Sequence, residues 1–335
     1  MKILIIGAGA IGGSLACYLK KAKADVTVLE KNAEVVEAIS NDGMTLRENG
    51  EVTSVRVKAV TELNDEDRFD YCFSATRAYH LQSAVKSVLP YLADGAPVVS
   101  MNNGVCIDAL KDVVGVERSA WCSINFGAGI EGLGKYYIKI SGGVTIGTLG
   151  NLSPSLSRLI EVLKVVIPVK VTDNIVGALY SKMLINSCIT STAVISGKTL
   201  GEILSTKDGK KVFLGTVREG MKVAKIAGID VPDYGRGLKY KLFCSKSPLG
   251  VIYRAIVFPH LKKKYGTRTS ATLEALKRGT KTEIDYFNGY VVSLSKRYGV
   301  GAPVNKAIVE CVKRVEGDLN QISQSNIKDV ASLCK

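Results

Sequence analysis

The chain has 335 residues, which is enough to bury a large core and, at ordinary domain sizes, favours two domains over one. No apolar run approaches the ~20 residues needed to cross a bilayer, so we expect no transmembrane span. Eight scattered cysteines form no C-x-x-C pair, and only two histidines could join them, so we expect no metal site and reduced thiols in a cytoplasmic protein. The net charge of +14 leaves nucleic acid, a membrane surface or a small anion open as partners.

A short apolar strand followed by a glycine turn opens the chain. KILII predicts a buried strand, GAGAIG fits G-x-G-x-x-G, and a helical segment and a second apolar strand, DVTVLEKN, come next. A secretory leader would also start with an apolar stretch, but it does not require three glycines at this spacing. The βαβ context therefore indicates a Rossmann dinucleotide-binding fold, in which the turn and the helix N-terminus hold a pyrophosphate. The residues predicted to bind it are Gly7, Gly9, Ala10, Ile11 and Gly12.

Two neighbouring residues at the end of the second strand favour different cofactors, one NAD and the other NADP. Glu30 lies about 20 residues beyond the glycine turn, where an acid commonly accepts hydrogen bonds from the adenosine ribose, and this favours NAD. Lys31 is adjacent, and a cation there could hold the 2′-phosphate of NADP. The residues alone leave the choice open.

Polar residues also follow two later predicted strands. FDYCFSATRAYH ends in Thr76 and Arg77, and APVVSMNNGV ends in Asn103 and Gly104. Ligands bind at the carboxyl ends of strands in an open parallel sheet, so Arg77 and Asn103 are expected on the ligand rim. An ordinary exposed arginine and a turn-forming asparagine are the alternatives. The glycine-rich residues 119–149 predict antiparallel strands that complete this sheet.

After about residue 150 the apolar periodicity changes to that of helices. We therefore predict an α/β fold, with a Rossmann-type sheet domain over residues 1–172 and an all-α domain over residues 173–335. Lys182 and Asn186 are four residues apart and share one face of a predicted helix. The predicted helices lie near residues 154–165, 173–197, 208–228, 270–298 and 303–316.

A basic segment, residues 234–268, is predicted to be the least regular part of the second domain. It contains no Asp or Glu, so it forms either a solvated surface or a positive rim for an anionic ligand. It has no zinc knuckle, RNP signature or recognition helix, which counts against nucleic acid as a partner.

Four motifs in this order, GAGAIGG, SMNNGV, KMLINSCIT and TEIDYFNGY, resemble those of the ketopantoate reductase (2-dehydropantoate 2-reductase) family over nearly the whole chain. The resemblance implies a Rossmann domain joined to an all-α domain, with a site in the cleft between them. It also implies NADPH-dependent reduction of a 2-oxo acid, most specifically ketopantoate to D-pantoate. NADP is then the expected cofactor, and NAD stays open because of Glu30.

The resemblance further implies roles for individual residues. Lys182 matches the catalytic lysine of the family, whose ammonium polarises the keto oxygen and supplies the proton. Asn103 would contact the nicotinamide ribose and hold this lysine, and Glu283 would orient both lysine and cofactor. Asn186 would bind the substrate. Arg77 stands where the family usually has a lysine near the cofactor phosphate.

Two departures from the family pattern affect the expected substrate. Thr190 replaces a second asparagine, and of a serine pair only Ser270 is matched, because the second position holds Ala271. The expected substrate-binding residues are thus Asn186, Thr190 and Ser270, and the partner is a small anionic 2-oxo acid, with no nucleic acid and no membrane. A dehydrogenase of another hydroxy or amino acid and a non-catalytic cofactor sensor are the alternative functions, and a monomer and a homodimer both stay open.

Overall fold

The computed structural model describes residues 1–235, 237–266 and 270–334. These residues divide into two compact units, Met1–Val176 and Gly177–Lys335. In the described part of the chain, no helix is long and apolar enough to span a membrane.

An eight-stranded sheet forms the centre of the first unit. Its strands are β1 (Lys2–Ile6), β2 (Asp25–Leu29), β5 (Lys58–Val60), β6 (Tyr71–Ser74), β7 (Val98–Ser100), β8 (Ser119–Ile124), β11 (Val144–Gly147) and β12 (Val169–Val171). They lie in the order β12-β11-β8-β7-β6-β1-β2-β5, and every neighbouring pair is parallel except β8 and β11. The inner strands are apolar on both faces, as expected where parallel strands are covered on both sides.

Helices alternate with these strands, so the predicted α/β sheet domain is confirmed. They are α1 (Ala10–Lys21), α2 (Ala33–Asp42), α3 (Leu81–Val88), α4 (Ile107–Val114) and α5 (Pro154–Val166). One large core includes the buried leucines of α1 and α5 and the apolar residues of β1 and β2.

A second, four-stranded sheet was not expected. It contains β3 (Met44–Glu48), β4 (Glu51–Val55), β9 (Gly127–Gly132) and β10 (Lys135–Ile140), in the order β4-β3-β10-β9. The prediction that residues 119–149 complete the main sheet is therefore wrong for β9 and β10. Their partner is the β3–β4 hairpin, whose Asn49-Gly50 turn has positive φ at both residues. These strands cover α1, and the buried Tyr136 of β10 fills the contact.

The described residues of the second unit form helices, as predicted. They are α6 (Ile175–Ser196, which begins at the end of the first unit), α7 (Leu200–Ile203), α8 (Lys207–Ile226), α9 (Tyr240–Cys244), α10 (Pro248–Tyr265), α11 (Ala271–Lys277), α12 (Asn288–Arg297), α13 (Pro303–Gly317) and α14 (Ser325–Ser332). Their core includes buried aliphatic residues of α6, α8, α13 and α14.

The single helix predicted for residues 270–298 is wrong. It is divided into α11, a non-helical segment and α12, with a 3-10 turn at Ile284–Tyr286 just before α12. Gly279 ends the first part by adopting φ +81°, a left-handed conformation that favours glycine and stops a helix. This interruption places Glu283 outside both helices.

The basic segment is more regular than predicted, because it contains both α9 and α10. Ser247 caps α10 by accepting a hydrogen bond from the Gly250 N–H, and Pro248 occupies the first turn. Arg236 and Arg268 of this segment lie outside the described residues. Several aliphatic side chains of α10 are more than half exposed, namely Leu249, Val251, Ile252 and Ile256. A homodimer stays a prediction.

Candidate active site

The glycine turn between β1 and α1 leaves an open approach to its backbone. Gly7 has φ +98°, and a Cβ on Gly12 would collide with the Gly7 carbonyl oxygen, so both positions require glycine. A Cβ on Gly9, in contrast, would meet nothing within 4 Å. No side chain caps α1, whose first residues are Ala10 and Ile11. Open space in front of uncapped helical N–H groups is the arrangement that a pyrophosphate requires.

A tyrosine from the second sheet fixes this turn from behind. The Tyr136 hydroxyl donates a 2.8 Å hydrogen bond to the Ala8 carbonyl, and its ring fills the space that a Cβ on Gly13 would need. Burial raises the pKa of Tyr136 well above its usual value, so the hydroxyl remains a donor at neutral pH. Sequence reasoning missed this contact, although the last glycine of GAGAIGG, Gly13, was its local signal.

The carboxylate of Glu30 lies against the same turn. One oxygen accepts a hydrogen bond from the Ala8 N–H at 2.8 Å, and the other accepts one from the Asn32 N–H at 3.0 Å. Glu30 is half-buried, whereas Lys31 is exposed. Glu30, which favours NAD, and Lys31, which favours NADP, therefore have different environments, since only Glu30 is held against the turn.

The two adjacent asparagines after β7 have different environments. Asn102 is buried, donates to the Thr76 carbonyl at 2.7 Å and accepts from the Ser100 hydroxyl at 2.8 Å. It thereby ties the end of β7 to the end of β6, where the exposed Arg77 begins a 3-10 turn. Asn103 is half-buried in the following bend. Sequence reasoning considered Asn103 for the site and missed the positioning residue beside it.

On helix α6, the proposed catalytic and substrate residues share one stripe. Lys182, Asn186 and Thr190 succeed one another at four-residue spacing, and all three are half-buried. Most other residues of α6 are buried, including Met183, Leu184 and Ile185. Lys182, Asn186 and Thr190 are thus polar side chains of α6 that solvent or a ligand can reach.

Glu283 lies in the segment between α11 and α12 and is only 8% exposed. The preceding Thr282 anchors this segment, because both its N–H (2.8 Å) and its hydroxyl (2.6 Å) donate to one carboxylate oxygen of Glu316 in α13. The same hydroxyl accepts a hydrogen bond from the Ile284 N–H at 3.3 Å. The backbone on both sides of Glu283 is therefore fixed.

A buried polar network holds the other end of this segment. Asn288, which has no exposed surface, accepts a 2.6 Å hydrogen bond from the Ser191 hydroxyl of α6 and donates to the Asn305 side-chain oxygen at 3.0 Å. Asn305 in turn donates to the Glu219 carboxylate at 2.9 Å. The asparagine of the TEIDYFNGY motif is thus a structural link between α6, α12 and α13, a role that sequence reasoning missed.

Thr190 and Glu283 meet at a small cavity within the second unit. Its accessible volume is about 10 Å³, close to that of a single water molecule, and its polar lining also includes Thr272, in the first turn of α11. Ser270 instead accepts a hydrogen bond from the Leu273 N–H as the cap of this helix. Thr272, which sequence reasoning did not consider, is thus the α11 side chain that lines the cavity. The apolar lining is Val194, Ile284, Phe287 and Val312.

A glycine turn on a Rossmann-type sheet, followed by a helical unit with a polar stripe, is typical of dinucleotide-dependent oxidoreductases. Residues 3–151 match the family model described as ketopantoate reductase PanE/ApbA, and residues 174–316 match the model of its C-terminal domain. The chain belongs to the ketopantoate reductase PanE/ApbA family, and it is an oxidoreductase.

Curated relatives resemble the chain along nearly its full length. The 2-dehydropantoate 2-reductase of Pyrococcus abyssi is 28% identical, with 94% of this chain and 98% of the relative covered. That of Lactococcus lactis is 24% identical with the same coverage.

Solved structures show the same fold. One is D-mandelate dehydrogenase with NADH and anilino(oxo)acetate, and another is a PanE/ApbA family ketopantoate reductase from Ralstonia eutropha. Each has a TM-score of 0.82 at 24% identity and covers 96% of this chain and 99% of its own.

Proposed function

We propose that the chain catalyses the NAD(P)H-dependent reduction of a 2-oxo acid to a 2-hydroxy acid, with ketopantoate as the first candidate substrate. The observation that carries the proposal is the polar stripe of α6, in which Lys182 and Asn186 lead to Thr190 at a cavity shared with the buried Glu283. Family membership and the activity named for the two relatives support the same reaction.

Lys182 has the chemistry that this reduction needs. The bound nicotinamide supplies the hydride to the carbonyl carbon of the substrate. The ammonium of Lys182 donates a hydrogen bond to the carbonyl oxygen, stabilises the negative charge that develops there and transfers a proton from Nζ to it. Solvent then restores the proton on Nζ. Asn186 and Thr190 donate hydrogen bonds that orient the substrate, and Glu283 positions Lys182.

The residues of the first unit fit the cofactor. The turn at Gly9 leaves room for a pyrophosphate, and the N–H groups at the start of α1 are oriented to bind it. Arg77 and Asn103 follow neighbouring strands of the sheet, and we propose that they bind the phosphate and ribose groups.

The side chains around Thr190 suit a branched aliphatic substituent that carries a hydroxyl, which would lie against them because the cavity itself has room for only about one water molecule. The aliphatic side chains there can cover methyl groups, and the hydroxyls of Thr190 and Thr272 can pair with a hydroxyl. Ketopantoate has both features next to its keto group. The phenyl group of the oxo acid related to mandelate is a second candidate, because the D-mandelate dehydrogenase has the same fold.

A substrate panel tests the proposal. Oxidation of NADH and NADPH is followed with ketopantoate, 2-oxoisovalerate, pyruvate and benzoylformate. We expect the highest kcat/KM with ketopantoate, and a lower value with 2-oxoisovalerate, which has the branch but no hydroxyl. Preference for benzoylformate would indicate that the substrate is an aromatic rather than an aliphatic 2-oxo acid. If no 2-oxo acid were reduced, the proposed function would be contradicted.

A further inference from the structure

We propose that Glu30 makes the chain selective for NADH over NADPH. The inference rests on the proposed function, because it concerns the cofactor of the same reaction. It is opposite to the expectation of NADP drawn from the family resemblance. Three features support it: how the carboxylate is held, where it lies, and what surrounds it.

The carboxylate of Glu30 is fixed by the backbone on both of its oxygens. One oxygen accepts from the Ala8 N–H at 2.8 Å and the other from the Asn32 N–H at 3.0 Å. Hydrogen bonds to an ionised acceptor are stronger than neutral ones, so moving the side chain away would cost two of them. Rotation of Glu30 to make room for a phosphate is therefore unfavourable.

The location of the carboxylate corresponds to that of the adenosine ribose. Glu30 follows β2, and its partner Ala8 lies between the two glycines of the turn proposed to hold the pyrophosphate. The ribose is joined directly to that pyrophosphate. Each carboxylate oxygen still has a lone pair available after its backbone bond, so the 2′- and 3′-hydroxyls of NADH can donate to it. A 2′-phosphate has no proton to share and would bring a second anion to a fixed one.

The neighbouring residues do not reverse this preference. Lys31 is exposed on a flexible stem, so solvent and salt screen its attraction for a phosphate and weaken its effect on the choice of cofactor. Asn32 caps α2 by accepting from the Glu34 N–H at 2.9 Å, which fixes the chain just after Glu30. Glu34, in the first turn of α2, adds a further negative charge. Of these three charged side chains, Glu30 is the one that the backbone holds against the turn.

The test is direct binding, without substrate. NADH and NADPH are titrated separately into the full chain, and nicotinamide fluorescence or calorimetry gives each Kd. Like charges placed together disfavour a wrong partner strongly, so we expect NADH to bind the wild type about 100-fold more tightly than NADPH. Equal affinity, or tighter binding of NADPH, would overturn the inference. If neither nucleotide binds, the proposed function itself fails, which is a distinct outcome.

Three variants test whether Glu30 causes the preference for NADH. Glu30→Gln keeps the shape and removes the charge, and we expect the ratio of the two Kd values to fall to less than about 10-fold, chiefly through tighter NADPH binding. Glu34→Gln is the matched control for a lost acid, and Lys31→Ala tests the opposing cation; both should leave the ratio within about 3-fold of wild type. An unchanged ratio in a folded Glu30→Gln would overturn the inference, as would a ratio that responded to Lys31→Ala instead.

Discussion

Replacing Asn288 with alanine tests whether the buried network holds the Glu283 segment. The substitution deletes the acceptor of the Ser191 hydroxyl and the donor to the Asn305 side-chain oxygen, at a site with no exposed surface. Water cannot replace either partner without opening the helices. The change is therefore expected to lower both stability and turnover.

The magnitude follows from the two groups left without a partner. A buried polar group that loses its hydrogen bond costs about 1–3 kcal/mol, so two such groups give about 2–6 kcal/mol. Ser191 can recover part of this by bonding to a carbonyl one turn earlier in α6, which favours the lower half of that range. We therefore expect the free energy of unfolding to fall by about 3 kcal/mol.

Denaturant unfolding followed by far-UV circular dichroism measures this loss. The single tryptophan, Trp121, lies in the first unit, so its fluorescence reports separately on the sheet. The control is Ser293→Ala, because this exposed hydroxyl on the same helix donates only to the Tyr290 carbonyl. We expect kcat to fall in Asn288→Ala while the Kd of NADH stays within about 2-fold of wild type. A loss of stability no larger than that of the control would refute the reasoning.

Four other substitutions probe the turn, the core and the cavity. Gly12→Ala should lower the melting temperature because its Cβ meets the Gly7 carbonyl, whereas Gly9→Ala should keep the melting temperature and weaken NADH binding; equal melting temperatures would contradict this. Burial raises the pKa of Cys72 from 9.0 to about 12, so its contribution to stability is complete below pH 9 and lost as the pH rises toward 12. Unfolding titrations at rising pH should give a shallower alkaline decline for Cys72→Ala than for wild type. Thr190→Asn should change the KM for the oxo acid and leave the Kd of NADH unaltered. A changed Kd of NADH with an unaltered KM would show that Thr190 does not contact the substrate.

The glycine turn and the alternation of strands and helices were predictable because they depend on local patterns. Each glycine in the turn has a requirement that neighbouring residues reveal, and an uninterrupted apolar run such as KILII is typical of a buried parallel strand. The helix predicted across residues 270–298 shows the limit of this approach. Residues 277–283 contain no apolar side chain that would set a helical register, and the positive φ of Gly279 shows where the first helix ends.

The positioning residues could not be predicted, because their roles depend on contacts distant in sequence. Tyr136 contacts a carbonyl 128 residues away, and Ser191 donates to Asn288 across 97 residues. For the same reason, β9 and β10 could be predicted as strands but their partners could not. Glu283 was identified by family resemblance rather than by spacing, since its burial results from the folding of the segment around it.

The most direct test of the account is Lys182→Ala in a single-turnover assay. NADH is bound to the variant, a saturating 2-oxo acid that the wild type reduces is added, and nicotinamide oxidation is followed. The control is Lys210→Ala, which removes an exposed lysine of α8. General acid catalysis contributes about 10²–10⁴-fold, so we predict a rate at least about 100-fold below wild type with the Kd of NADH within about 2-fold. Reduction at the wild-type rate by a folded Lys182→Ala would contradict the assignment of Lys182 as the proton donor.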